Sequence, residues 1–196
     1  YDNAALYFQK YIDGYKKDDK VRYNDAYLRM ADSYFVSTKY WPAMEAYNKA
    51  IELGSIDADY AAFQKAISYG FVSKNERKIQ DLTGFIKSYP NSSYTDDAMY
   101  ELGNTYVNEN KVEDAVRAYD NLIAKFPQSS YVAKSILRQG LAYYNNNQNE
   151  KALVKFKKVV AEFPNSEEAL QAVETARLIY IDLGQVDAFA EWVKTL

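Results

Sequence analysis

Histidine and cysteine are both absent from the 196 residues. Their absence removes the usual general base near neutral pH, every Ser-His-Asp or Cys-His pairing, thiolate chemistry and the commonest transition-metal ligands. Carboxylates, amines and phenols remain. Paired carboxylates at Asp57/Asp59 and Glu167/Glu168 could in principle do acid–base work. Both pairs fall at turns and helix starts, where capping and the helix dipole already account for them. Asp57-x-Asp59 lacks the rest of a calcium loop. No glycine-rich phosphate loop and no nucleophile motif occurs. The expectation is a non-catalytic chain with no cofactor and no metal.

Composition narrows the partner. Twenty-four Lys and Arg against twenty-seven Asp and Glu give a net charge of −3, with no basic face to meet phosphates, so nucleic acid is not expected. The mixed-charge run Lys16–Lys20 reads as a solvated loop. Apolar residues make up 48%, enough for a core. No apolar run approaches the roughly 18–20 residues of a membrane span. Tyrosine occurs 20 times and phenylalanine 9, but glycine only 7 times and proline 4. So few chain breakers predict long helices rather than a turn-rich β fold. A chain that opens on Tyr1, without a signal sequence, reads as a processed form or a section of a longer protein.

Three prolines reveal the organisation. Tyr89-Pro90-Asn91-Ser92, Phe126-Pro127-Gln128-Ser129 and Phe163-Pro164-Asn165-Ser166 recur every 37 residues. A fixed period in this range signals a repeat architecture. The same shift carries Gly103 onto Gly140, Tyr106 onto Tyr143, Ala115 onto Ala152 and Tyr119 onto Phe156. Backwards it carries Gly103 onto Ala66 and Tyr106 onto Tyr69; a shift of 72 reaches Ala31, Tyr34, Ala43 and Tyr47. Tyr180 falls on Tyr143.

Each unit reads as two amphipathic helices. Ala98, Leu102, Thr105 and Tyr106 recur at three- and four-residue steps, and so do Val112, Ala115, Val116, Tyr119, Ile123 and Phe126. Pro127 ends the second helix, because the residue before proline leaves the α region. Ser129 or Ser130, and Ser166, stand where N-caps belong. The small residues Ala31, Ala66, Gly103 and Gly140 mark places where the facing helix comes too close for a larger side chain. Tyr34, Tyr69, Tyr106, Tyr143 and Tyr180 are expected to fill the gap one turn later.

Leu102-Gly103-x2-Tyr106, Ala115-x3-Tyr119 and Pro127 resemble the tetratricopeptide repeat, with a unit three residues longer than the usual 34. The Phe/Tyr-Pro-x-Ser ending at 37-residue spacing is similar to the sub-type in bacterial cell-envelope proteins, such as the outer-membrane assembly lipoprotein and the protein coordinating the Tol–Pal system. The resemblance implies an all-α, right-handed superhelical solenoid of antiparallel helix hairpins, with about eleven helices over residues 1–196. A partial repeat covers 1–20. Full repeats run about 24–57, 59–92, 96–129 and 133–166, and a terminal pair covers 170–196. Lys78 and Leu82 replace the Ala and the aromatic in the second full repeat, so that hairpin is expected to pack less regularly.

The resemblance also implies the binding surface, a concave groove lined by first helices. Its positions fall on Asp25, Leu28, Asp32, Phe35 and Val36, then on Tyr60, Phe63, Ile67 and Phe71. They continue with Asp97, Tyr100, Asn104, Val107 and Asn108, and with Lys134, Leu137, Leu141, Tyr144 and Asn145. Aromatics there would anchor a protein or peptide and the amides would bond its main chain. Lys134 and Arg138 match one pair of the terminal-carboxylate clamp of chaperone-tail binders. Phe63, Ile67 and Glu101 occupy its other positions, so the likeness stops there. The expected function is a non-catalytic interaction scaffold in the bacterial envelope, periplasmic or envelope-associated. The alternative is a structural, self-associating section of a longer repeat protein.

Overall fold

The structure is a computed structural model and describes residues 1–17 and 19–196; Asp18, in the charged run, lies outside the described residues. Among these residues there are eleven α-helices and no strand: α1 Asp2–Asp13, α2 Lys20–Val36, α3 Tyr40–Glu52, α4 Ala58–Phe71, α5 Asn75–Ser88, α6 Thr95–Asn108, α7 Val112–Lys125, α8 Tyr131–Asn145, α9 Asn149–Glu162, α10 Glu167–Asp182 and α11 Val186–Val193. The chain divides into two compact units, Tyr1–Ala98 and Met99–Leu196. In each, consecutive helices pack as neighbours.

Every hairpin turns in the same way. Thr38, Ser73, Asn110 and Asn147 have φ of 59, 57, 57 and 58, and Gly184 has φ of 66. One residue on, a backbone N–H donates to a carbonyl five residues back: Lys39 to Tyr34, Lys74 to Tyr69, Lys111 to Tyr106, Gln148 to Tyr143 and Gln185 to Tyr180, at 2.8–2.9 Å. This left-handed closure satisfies a carbonyl that the end of the helix leaves without a partner. The acceptors are the periodic first-helix tyrosines.

The helix starts follow local chemistry. Ser166 Oγ accepts from the Ala169 N–H at 3.1 Å, as expected of a cap. Before α8 the bond comes from Ser129, whose Oγ accepts from the Tyr131 N–H at 3.1 Å. Asp19 caps α2 through the Arg22 N–H at 3.0 Å. Asp96 and Asp97 lie in the first turn of α6, and Glu167 and Glu168 in that of α10, where carboxylates favour the positive end of the helix dipole.

The cores consist of small residues facing rings. In the first unit Ala31, Ala43 and Tyr47 are fully buried with Leu28 and Ala26 beside them. In the second unit Ala115, Tyr119, Ala152 and Phe156 are fully buried. A Cβ built on Gly103 would lie 2.4 Å from Tyr119 Cε1, and one on Gly140 2.5 Å from Phe156 Cε1. The glycines therefore let the facing helix bring its ring against bare backbone. This corrects the expectation for the filler. Tyr106 and Tyr143 do not occupy that space; the ring comes from across the hairpin. The irregular hairpin α4/α5 forms fully, with Leu82 buried where its counterparts are aromatic, and the Lys78 stem runs 3.1 Å from the position of a Cβ on Gly70.

Candidate functional site

The first-helix face of the first unit is aromatic and largely self-packed. Phe71 stacks on Tyr40 with ring centroids 4.7 Å apart, and Phe35 meets both edge-on at 5.5 and 5.6 Å. Phe63 stacks on Tyr94 at 5.6 Å and leans on Phe85 at 5.9 Å, while Tyr60 lies 5.6 Å from Tyr94. Such pairs add about 0.5–1.5 kcal/mol beyond the area they bury and hold the rings in place. Phe71 keeps 57% of its surface exposed; Phe35, Tyr60, Phe63 and Ile67 are half-buried. Leu28 is 2% exposed inside the core and has no surface to offer a partner. It leaves the surface that the resemblance implied, because its side chain belongs to the buried cluster that also holds Ala31 and Tyr47.

Phenols, chiefly from second helices, orient the polar residues of this face. Tyr47 Oη donates to Asp32 Oδ1 at 2.8 Å, and Tyr60 Oη donates to the same oxygen at 3.1 Å. In the second unit Tyr119 Oη donates to Asn104 Oδ1 at 2.7 Å, and Asn104 Nδ2 donates to Glu101 Oε1 at 3.3 Å. Burial, followed by the Asp32 charge, pushes the Tyr47 phenol far up; burial does the same to Tyr119. Both stay protonated and donate. At the equivalent positions of the other repeats, Ile67 accompanies Leu82 and Leu141 accompanies Phe156. Polar residues of the first helix thus pair with tyrosine, and apolar ones with a side chain that has no hydroxyl.

The second unit carries a cleft of about 380 Å³ on this face. Leu137 and Leu141 form its floor and the Tyr100 ring a wall; Tyr100 stacks on Tyr131 at 4.6 Å. Lys134 and Arg138, on successive turns of α8, border one side, with Lys134 Nζ 5.7 Å from the Tyr131 ring centre. Glu167, Glu168 and Gln171 of α10 border the other. Leu137 is only 6% exposed and acts as a floor, while Lys134 and Asn108 are exposed and Tyr144 is half-buried. Asn104 is already engaged by Tyr119, which leaves Asn108 as the open amide of the expected pair.

Of the residues on the implied groove, Tyr100, Lys134, Leu137 and Leu141 line this one cleft together. Two kinds of residue escaped sequence reasoning. Tyr47 and Tyr119 stood in the sequence only as periodic apolar positions of second helices, and only the alternation of their partners betrays the hydroxyl's role. Leu178 and Ile181 fall one period after Leu141 and Tyr144, and both are half-exposed; the 37-residue shift would have found them. No cluster of three or more potential metal-ligating side chains occurs among the described residues, and no described helix is long and apolar enough to cross a membrane.

Comparison with known proteins gives a consistent fold. The sequence profile of the YfiO outer membrane lipoprotein family matches residues 97–173, less than half of the chain. Among solved structures, MamA superposes with a TM-score of 0.68 at 19% identity over 87% of this chain and 88% of that one. MamA residues 41 to the end from Desulfovibrio magneticus RS-1 give 0.67 at 16% identity, covering 90% and 93%. YrrB, described as a TPR protein with an unusual peptide-binding site, gives 0.65 at 18% identity, covering 88% and 83%. No curated protein sequence matches the chain.

Proposed function

From the tetratricopeptide-repeat fold that these likenesses show, we propose that the chain is a non-catalytic scaffold whose first-helix faces bind a partner protein or peptide. The observation that carries this reading is apolar surface left open on those faces: Phe71 is 57% exposed, Leu178 46% and Ile181 51%. Leu178 and Ile181 lie about one turn apart on α10, and apolar side chains that keep this much area in water on first-helix faces support an interaction surface. The rings of Phe35, Tyr60, Phe63 and Tyr100 are held by neighbouring rings, so little side-chain entropy remains to be lost on binding. Ile67, Asn104, Asn108, Lys134 and Tyr144 complete the two faces, and the net negative charge argues against nucleic acid as the partner.

The reading includes the bacterial cell envelope as the place of action, supported by the outer membrane lipoprotein profile over 97–173 and by the Phe/Tyr-Pro-x-Ser repeat endings. Selection of displayed peptides on the immobilised chain tests the binding role. Selected peptides should lose affinity for the combined variant Phe71→Ser, Tyr144→Ser, Leu178→Ser and Ile181→Ser, while its circular dichroism stays helical. Unchanged affinity would reject the reading.

One observation favours self-association as a second reading. Leu6, Tyr7 and Tyr11 of α1 are exposed, and α11 has no buried residue. Light scattering over a concentration series separates the two readings; a monomer at every concentration removes the second.

A further inference from the structure

The cleft of the second unit has a charge pattern that the binding role does not require. Lys134 and Arg138 lie four residues apart on α8, so both project from one face of that helix. Glu167 and Glu168 open α10 on the opposite border. The two sets do not neutralise one another: no ion pair within 4 Å joins either cation to either carboxylate among the described residues. Elsewhere on this unit, cations do find carboxylates, as in Lys155 to Asp120 at 3.5 Å and Lys151 to Glu113 at 3.4 Å. Leu137 and Leu141, each three residues after one of the two cations on α8, line the cleft with them and with the Tyr100 ring.

A ligand complementary to this arrangement carries both signs of charge with an apolar group between them. A simple anion would meet Glu167 and Glu168 as well as the cations. A simple cation would meet Lys134 and Arg138. The volume, about 380 Å³, is at the small end for a binding pocket and suits a few side chains rather than a large cofactor. Gln171, on the acidic border, can both donate to and accept from a main chain.

We propose that this cleft binds an internal, extended peptide segment in which a large apolar residue is flanked by an acidic residue on one side and a basic residue on the other. The acidic side chain sits against Lys134 and Arg138, the apolar one on Leu137 and Leu141, and the basic one against Glu167 and Glu168. The proposal rests on the scaffold reading above and specifies the partner for one part of it.

End-blocked peptides with a central leucine test it by fluorescence anisotropy on the full chain. One carries Glu and Lys flanks, one Glu on both sides, one Lys on both sides and one Gln on both sides. Exposed charge pairs are worth little each, so the Glu/Lys peptide should bind about five-fold more tightly than the Gln peptide at low salt, and the advantage should vanish at high salt. Replacing both cations, Lys134→Glu with Arg138→Glu, should move the preference to the Lys/Lys peptide. These exposed side chains tolerate the change, and circular dichroism checks that they do. Equal affinity for all four peptides overturns the charge pattern but leaves the scaffold reading intact. Tighter binding of a free acidic C-terminus than of any blocked peptide makes the cleft a terminal-carboxylate site and overturns the proposal. Absence of binding by all four at millimolar concentration does so as well; the scaffold reading then stands or falls on the selected peptides and their response to the four serine substitutions.

Discussion

The Tyr119 ring lies where the side chain of Gly103 would be: a Cβ on that glycine would stand 2.4 Å from Tyr119 Cε1. The ring is fully buried and its hydroxyl is tied to Asn104, so it cannot simply swing aside. The same relationship joins Gly140 to Phe156 one repeat later.

Gly103→Ala should therefore destabilise the chain although alanine is the better helix former. Overpacking costs about 1–3 kcal/mol, and the helical preference returns up to about 1. Ala31 and Tyr47 hold the same two positions in the first full repeat, so a hairpin can open to admit a methyl. A net loss of about 1 kcal/mol is expected in urea unfolding, and Tyr119→Leu in the same chain should recover part of it, in the manner of Ala66 with Leu82.

Thr38→Gly should stabilise. Thr38 has φ of 59, a left-handed conformation that a β-branched residue adopts only at a cost. Glycine removes that strain and adds some unfolded-state freedom, for a net gain of about 0.5–1 kcal/mol. Gly184, at the same turn position with φ of 66, predicts the reverse: Gly184→Ala should lower stability by about 1 kcal/mol. Paired thermal melts of the two variants check both signs.

Alkali should unfold the protein through its buried phenols. Tyr47, Tyr60 and Tyr119 are all raised above the ordinary 10.0, in each case chiefly by burial, and Tyr27 is pushed up to about 12 by burial and by the Tyr23 hydroxyl. Above pH 10.0 the unfolded chain gives up phenolic protons that the folded chain retains, so stability falls as pH rises; below it this contribution is complete. Urea midpoints should stay level up to about pH 9 and drop steeply by about pH 11. Tyr47→Phe should flatten the drop. A midpoint that holds through the alkaline range would remove these phenols from the account.

Tyr119→Phe should cost about 0.5–1.5 kcal/mol, because Asn104 Oδ1 loses its donor in a partly buried place. Adding Asn104→Leu copies the Leu141/Phe156 pair and should restore most of the loss. The coupling in a double-mutant cycle is the measurement; additive effects would mean that the bond contributes nothing.

The helices and their pairing into hairpins were legible because one spacing governs both packing and punctuation. Pro90, Pro127 and Pro164 end second helices, and Gly103 and Gly140 mark the closest approach. The source of the filling ring was not legible. Periodicity places Tyr106 and Tyr119 on apolar faces without saying which one crosses the hairpin. Leu28 failed as a surface residue for the same reason, since a groove position and a core position differ by a modest rotation about the helix axis. The cleft escaped because its acidic border, Glu167 and Glu168, has a sufficient local explanation as a helix start. Only folding sets those carboxylates opposite Lys134 and Arg138.

The alternation of hydroxyl-bearing and hydroxyl-free partners has a bearing on how the hairpins find their mates. Thirty-seven-residue units as alike as these invite slippage, with a first helix closing on the second helix of the wrong unit. If α6 closed on α9, Asn104 would meet the Phe156 ring and lose its donor; if α8 closed on α7, the Tyr119 hydroxyl would face Leu141. Each mispairing strands a polar group that the correct one satisfies, so the chain carries a two-letter key that keeps near-identical segments from being shuffled.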